Sequence, residues 1–516
     1  MTRPFAFAFV VLVAAGAGAP ALHAAAADDA AIVHALNRLT YGPRPGDVER
    51  VKAMGLQKWI EMQLAPSRID DGALTAKLQR LETLTLDSET IQRDYAGPAM
   101  AERRKRAAES ADRDTRATEG TDKNTRATEG TDRNTRATES TEGSDQKANR
   151  MMRDPMNDVQ RKGRQVISDI EEAKLLRAVY SERQLEEVLV DFWFNHFNVF
   201  AGKGATRNYV SEYEREAIRP YVLGNFRDML GATAKSPAML FYLDNWLSSA
   251  ESAGVRGARM RGAQVPQVQR RSNGINENYA RELLELHTLG VDGGYTQGDI
   301  VNIAKVFTGW TIQPRQGSGF MFVAARHDRG EKVVLGRTIK AGGVDEGERV
   351  LDIVASHPAT ARHIATKLAM RFVSDNPPAA LVDRAAAKFT ATRGDLREVL
   401  KVILASPEFA SADAYRAKVK TPLELVASAL RATGADVRTA LPLARTLRDM
   451  GMPLYFCQPP TGYDETATTW VSAGALVARM NFAVDLSKNA VRGVRVPLSE
   501  EQTLAMKIGA PEFQRQ

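Results

Sequence analysis

Ile32, Leu36 and Leu39 recur at spacings of four and three, one face of a helix, until Gly42-Pro43 stops it. Pro45-Gly46-Asp47 opens a second short helix that ends at Gly55. Leu56, Trp59, Ile60 and Leu64 form a third, closed by Pro66. Leu185, Val188, Leu189 and Phe192 repeat the pattern behind Ser181-Glu182-Arg183-Gln184, which reads as a capping box. Residues 218–246 read as two helices broken near Ser236-Pro237. Residues 276–289 read as one helix ended by Gly290, and Thr296 to Asp299 caps the next, through Ile300, Ile303 and Phe307. Further helices are expected over 346–355, 360–372, 378–391, 396–405 and 422–433.

One stretch carries a strand signal. Phe320-Met321-Phe322-Val323, a turn at His327-Asp328-Arg329-Gly330, and Val333-Val334-Leu335 predict a hairpin within 319–338. The expected fold class is mainly α: a multi-helical body with one small β-hairpin and a disordered insertion.

The insertion is read at 101–165, which holds no Leu, Ile, Phe, Tyr or Trp. A ten-residue unit repeats there from Asp112, Asp122 and Asp132. Mixed charge with Thr and Gly buries too little surface to offset chain entropy, so disorder is expected. Residues 251–272, rich in Arg, Gly and Gln, read as an exposed loop.

The start of the chain has a different pattern. Arg3 precedes an uncharged run over 5–19, then Pro20 and the small residues Ala24 to Ala27. The run is too short for a bilayer core of ~30 Å, which needs ~20 helical residues. It predicts a signal peptide over 1–27 and a mature protein that is periplasmic or secreted. No later segment reaches membrane length. The remainder divides into an N-terminal helical part at 28–100, a main helical body at 166–490 and a C-terminal tail at 491–516.

Across 516 residues, 70 Lys and Arg face 63 Asp and Glu, a net charge of +7. That bias is mild and unclustered, so no nucleic-acid partner is expected. Cys457 is the one cysteine, which rules out a disulfide within the chain and suits a buried thiol.

The sequence has no G-x-S-x-G, H-E-x-x-H, C-x-x-C or phosphate-binding loop. Three neighbourhoods remain as candidate chemistry. His196 shares a helical face with Leu185, Leu189 and Phe192. It is either a core histidine or lines a pocket with Asn195 and Asn198, walled by Phe192 and Trp193. On the 276–289 helix, His287 lies with Tyr279, Leu283 and Leu286, while Asn278, Arg281 and Glu285 share the far side. Either Arg281 and Glu285 form an i,i+4 pair, or they floor a polar ligand site. At 327–330 a turn calls for Asp and Gly but not His. Either Gly330 is left-handed in a plain turn, or His327, Asp328 and Glu331 bind a metal or an anion; the spacing names no metal.

Several segments resemble one family. They are Asn37-Arg38-Leu39-Thr40-Tyr41-Gly42-Pro43, Phe192-Trp193-Phe194-Asn195-His196-Phe197, the stretch from Asn276 to Gly290, Phe307-Thr308-Gly309-Trp310, His327 to Lys332, and Trp470-Val471-Ser472 leading to Arg479-Met480-Asn481-Phe482. In this order they resemble the bacterial domain of unknown function 1800 family. Gly462-Tyr463 departs from the Gly-Trp expected there. The resemblance implies an exported, mainly helical protein with no agreed activity. It also implies a partner, since members are often encoded beside an exported, sulfatase-like family, the domain of unknown function 1501.

Three functions follow. The first is a hydrolase of envelope or extracellular polymers, with His196, Glu285 and His327 catalytic and Asn195, Asn278, Arg281, His287, Asp328 and Glu331 binding ligand. The second is a non-catalytic, chaperone-like partner of the co-encoded protein. The third is a structural envelope protein. Histidines that meet in space favour the first, and a large exposed apolar patch favours the second.

Overall fold

The computed structural model describes residues 19–121, 155–250, 274–315, 317, 319–497 and 501–516. Most of the predicted signal peptide, the decapeptides from Asp122 and Asp132, and the 251–272 loop lie outside the described residues.

One hydrophobic core, running from Ile32 to Ile508, gathers the inner faces of nearly all the helices. Arg38, on the helix Ala19–Leu39, shows how distant parts of the chain meet. It is fully buried, and its Nη2 donates to the carbonyls of Val373 and Ala414 at 2.9 and 2.7 Å.

The helices follow the apolar spacing and their caps. Thr296 and Asp299 form the expected capping box on Gln297–Val306. Thr421 and Glu424 form another on Pro422–Ala432, with Pro422 in the first turn, where its missing N–H costs nothing. The box expected at Ser181 does not form. Ser181 donates its hydroxyl to Asp71 at 2.8 Å and accepts the Arg183 N–H at 3.0 Å, and the helix Gln184–His196 starts two residues later with Arg183 at its N-cap. Gln184 turns inward instead, accepting the Tyr41 N–H at 3.0 Å and donating to the Ser181 carbonyl at 2.9 Å.

The span read as disordered is helical at both ends, over Gly97–Thr121 and Pro155–Tyr180. The first decapeptide, from Asp112, falls inside the former. Ala, Arg, Glu and Lys favour helix without a core, and Ile170 and Ala173 anchor the second helix in the core.

The hairpin is also rearranged. Trp310–Thr311 pairs with Met321–Phe322, and Lys332–Val334 pairs with Arg337–Ile339, each antiparallel. Leu335 and Gly336 make the two-residue turn with φ of 48° and 74°, the left-handed pair such a loop requires. His327 therefore lies between two strand pairs and not at a hairpin tip, and Gly330 is not left-handed. A third pair joins Asp436–Val437 to Val494–Arg495.

Residues 491–516, read as a tail, carry that last strand and the helix Glu501–Gly509. Gln516 exchanges two backbone hydrogen bonds with Lys418.

Candidate functional site

The helix Glu277–Glu282 widens into a π turn over Leu283–His287. Carbonyls at a helix end have no intrahelical amide to bond, and two imidazoles use them here. His196 Nε2 donates to the His287 carbonyl at 3.1 Å, and His363 Nε2 to that of Leu286 at 3.2 Å. The His196 ring centre lies 6.3 Å from that of His287 and 6.1 Å from that of His363. His363 joins His196 and His287 here, although no local pattern in the sequence marks it. Burial, with Lys367 adding repulsion, pushes His287 down to about 3, His363 to about 4 and His196 well below the usual range. All three are neutral at pH 7. Among the described residues, no group of three or more His, Cys, Asp or Glu is arranged to hold a metal ion.

Asn195 and Asn198 grip the 453–463 loop. Asn195 donates to the Tyr463 carbonyl at 2.7 Å and accepts the Tyr463 N–H at 2.6 Å. Asn198 donates to the carbonyls of Cys457 and Pro459 at 3.0 and 2.7 Å. Gly462 has φ of 74°, and a Cβ there would meet the Asn195 carbonyl at 2.3 Å. Tyr463, where Trp was expected, donates its hydroxyl to the Pro453 carbonyl at 2.7 Å.

The remaining predicted residues lie apart from these. Arg281 pairs with Glu285 at 3.3 Å and with Gln297 at 3.2 Å, and its side chain is 41% exposed. The charged stripe therefore faces solvent. Asn278 is exposed beside it. His327 shares no partner with His196. Its Nε2 meets Glu346 at 3.1 Å and its Nδ1 the Thr308 carbonyl at 2.9 Å. Lys332 completes this buried group at 2.7 Å from Glu346 and 3.3 Å from Asp328, while Glu331 is exposed.

One cavity has no mark in the sequence. Phe192, Asn195 and Asn198 do line it, as expected, but His196 and Trp193 do not. Its charges come from four helices and one loop: Lys174, Asp191, Arg371, Glu424, and the neighbours Asp464 and Glu465. Lys174 pairs with Asp191 at 2.8 Å and Arg371 with Glu424 at 2.6 Å. Burial pushes Glu465 above the usual carboxylate range. Burial also acts on Glu424, but Arg371 and Gln516 hold it below that range. Burial pushes the Cys457 thiol, in the same wall, up to about 11, so it is inert. The cavity measures about 40 Å³, room for one or a few waters but not for a polymer segment.

The opposite kind of surface lies on the helix Ala473–Ser487. Arg479, Phe482, Ala483 and Leu486 are buried, while Leu476, Val477, Met480 and Val484 on the other side are exposed. Val471 precedes this face, and Met506 stands on the helix packed beside it. Among the described residues, half of the large apolar side chains that reach solvent are these six. They form a localised patch and not the usual scatter.

A family model described as protein of unknown function (DUF1800) matches residues 34–514. No curated protein matches the chain, and no solved structure does.

Proposed function

The chain belongs to the DUF1800 family of proteins of unknown function, and we propose that it is an exported, non-catalytic binding or chaperone-like protein that docks another exported protein. The exposed face of the helix Ala473–Ser487 carries this reading. Four large apolar side chains share the solvent side of this helix, and an exposed apolar patch of this kind marks an interaction surface. Export is supported by Arg3, the apolar run over 5–19 and the alanines that follow. The partner proposed is the co-encoded sulfatase-like protein of the domain of unknown function 1501 family, on the strength of the family resemblance.

The hydrolase reading has less behind it. The histidine rings are neutral and wedged on carbonyls, His327 serves a buried ion group, and the cavity is too small for a polymer.

The test is sedimentation of the two purified proteins, mixed. The wild-type chain should form a complex that Val477→Asp with Met480→Asp abolishes while helical content is unchanged. Failure to form any complex, or survival of the complex in the variant, would overturn the reading.

A further inference from the structure

The surface over Asn37 and Pro43 holds a second, larger pocket, of about 410 Å³, closed on one side by the C-terminal segment. That volume is in the range of small-ligand sites. Four cations line it, Arg416, Lys420, Lys507 and Arg515, against one carboxylate, Glu512.

Lys420 is the anomaly. It is 3% exposed, yet its Nζ makes one hydrogen bond, to Ser428 Oγ at 3.1 Å, and lies 4.2 Å over the Phe513 ring. Among the described residues no carboxylate pairs with it. Glu424, the nearby acid, is committed to Arg371 and Gln516. Arg416, Lys507 and Arg515 likewise have no ion-pair partner among the described residues. Burial, with Arg416 and Arg479 adding repulsion against the pull of Glu424, lowers Lys420 to about 7. A desolvated cation without a counter-ion is costly, and there are two remedies: it loses its proton, or an anion arrives. The neighbouring guanidinium of Arg416, half-buried, favours the second, since a planar fork matches carboxylate and phosphate oxygens. The rest of the wall is apolar: Phe513, Ala510, Ala432 and Pro43.

We propose that this pocket binds a small organic anion, its carboxylate or phosphate held by Lys420 and Arg416 and its apolar body against Phe513.

Trapping with aldehydes tests this on the full chain. Three probes are compared: pyridoxal 5′-phosphate, 4-formylbenzoate and neutral pyridoxal, each with borohydride. The Lys420 amine adds to the aldehyde carbon and releases water, and hydride then reduces the imine to a secondary amine that peptide mapping locates. Relative to the same probe's labelling of exposed Lys488, at least one charged probe should label Lys420 roughly ten-fold or more faster than pyridoxal does, the worth of one charge-assisted contact. Whichever charged probe leads identifies the preferred head group. Arg416→Ala with Arg515→Ala should erase the difference, and neither side chain is needed by the core. Equal labelling by all three probes, or labelling confined to exposed lysines outside the pocket such as Lys488, would overturn the proposal.

Discussion

Glu346 accepts from His327 at 3.1 Å through one carboxylate oxygen and from Lys332 at 2.7 Å through the other, and all three residues are buried. The Gly342 N–H adds a further bond at 2.8 Å. This group ties the loop after Met321–Phe322 to the strand Lys332–Val334 and the helix Val344–Ala355.

Glu346→Ala should destabilise the protein by ~3 kcal/mol, because it removes the closer partner of the buried Lys332 ammonium and leaves it only Asp328, at 3.3 Å. Adding Lys332→Met should recover part of that loss. Urea denaturation of the three chains checks both statements, and an effect below ~1 kcal/mol would show that water reaches Lys332.

Acid should weaken the fold through the histidine cluster. His287 and His363 fall from an ordinary 6.5 to about 3 and about 4 in the folded chain. Below pH 6.5 the unfolded chain therefore takes up protons that the folded chain does not. Stability is full above 6.5 and falls as pH drops toward 4, by ~1.4 kcal/mol per pH unit for each histidine. Denaturation midpoints at pH 7, 6 and 5 should show this slope, and His363→Gln should make it shallower. A flat profile would mean that the cluster is hydrated.

Gly462→Ala should unseat the 453–463 loop. The left-handed φ and the approach to the Asn195 carbonyl act together, and backbone strain of this kind costs ~1–3 kcal/mol. Asn195→Ala should cost a similar amount through its two bonds to Tyr463. The readouts are the melting temperature and the rate of proteolysis within the loop. Unchanged proteolysis in both variants would show that the clamp is not what holds it.

Thr296→Ala should cost ~1 kcal/mol, since it removes one half of a formed capping box. Ser181→Ala, at the box that does not form, acts instead through its bond to Asp71. The Thr296 loss should therefore appear as fraying of Gln297–Val306 in hydrogen exchange, and the Ser181 loss should not touch Gln184–His196.

The legible part of this protein was its local part. Periodicity located most helices, the wheel put His196 on the apolar face with Leu185, Leu189 and Phe192, and Thr296 capped as its spacing implied. The π turn at Leu283–His287 was not legible, because widening by one residue depends on what packs around it. Strand pairing failed for a related reason: Leu335-Gly336 turns the chain more readily than His327 to Gly330, and only pairing partners reveal that. The cavity was invisible because Lys174, Asp191, Arg371 and Glu424 lie on four helices and Asp464 and Glu465 on a loop. In sequence each reads as an ordinary solvated charge.

The contacts of Arg38 also set a timetable. Its hydrogen-bond acceptors, Val373 and Ala414, are synthesised more than three hundred residues after it. A chain made at ~5–20 residues per second would hold this guanidinium, with Leu36 and Leu39 beside it, without native partners for tens of seconds. The helix Ala19–Leu39 emerges early and is among the last parts to be buried. During that interval its apolar stripe is the surface on which a holding chaperone would act.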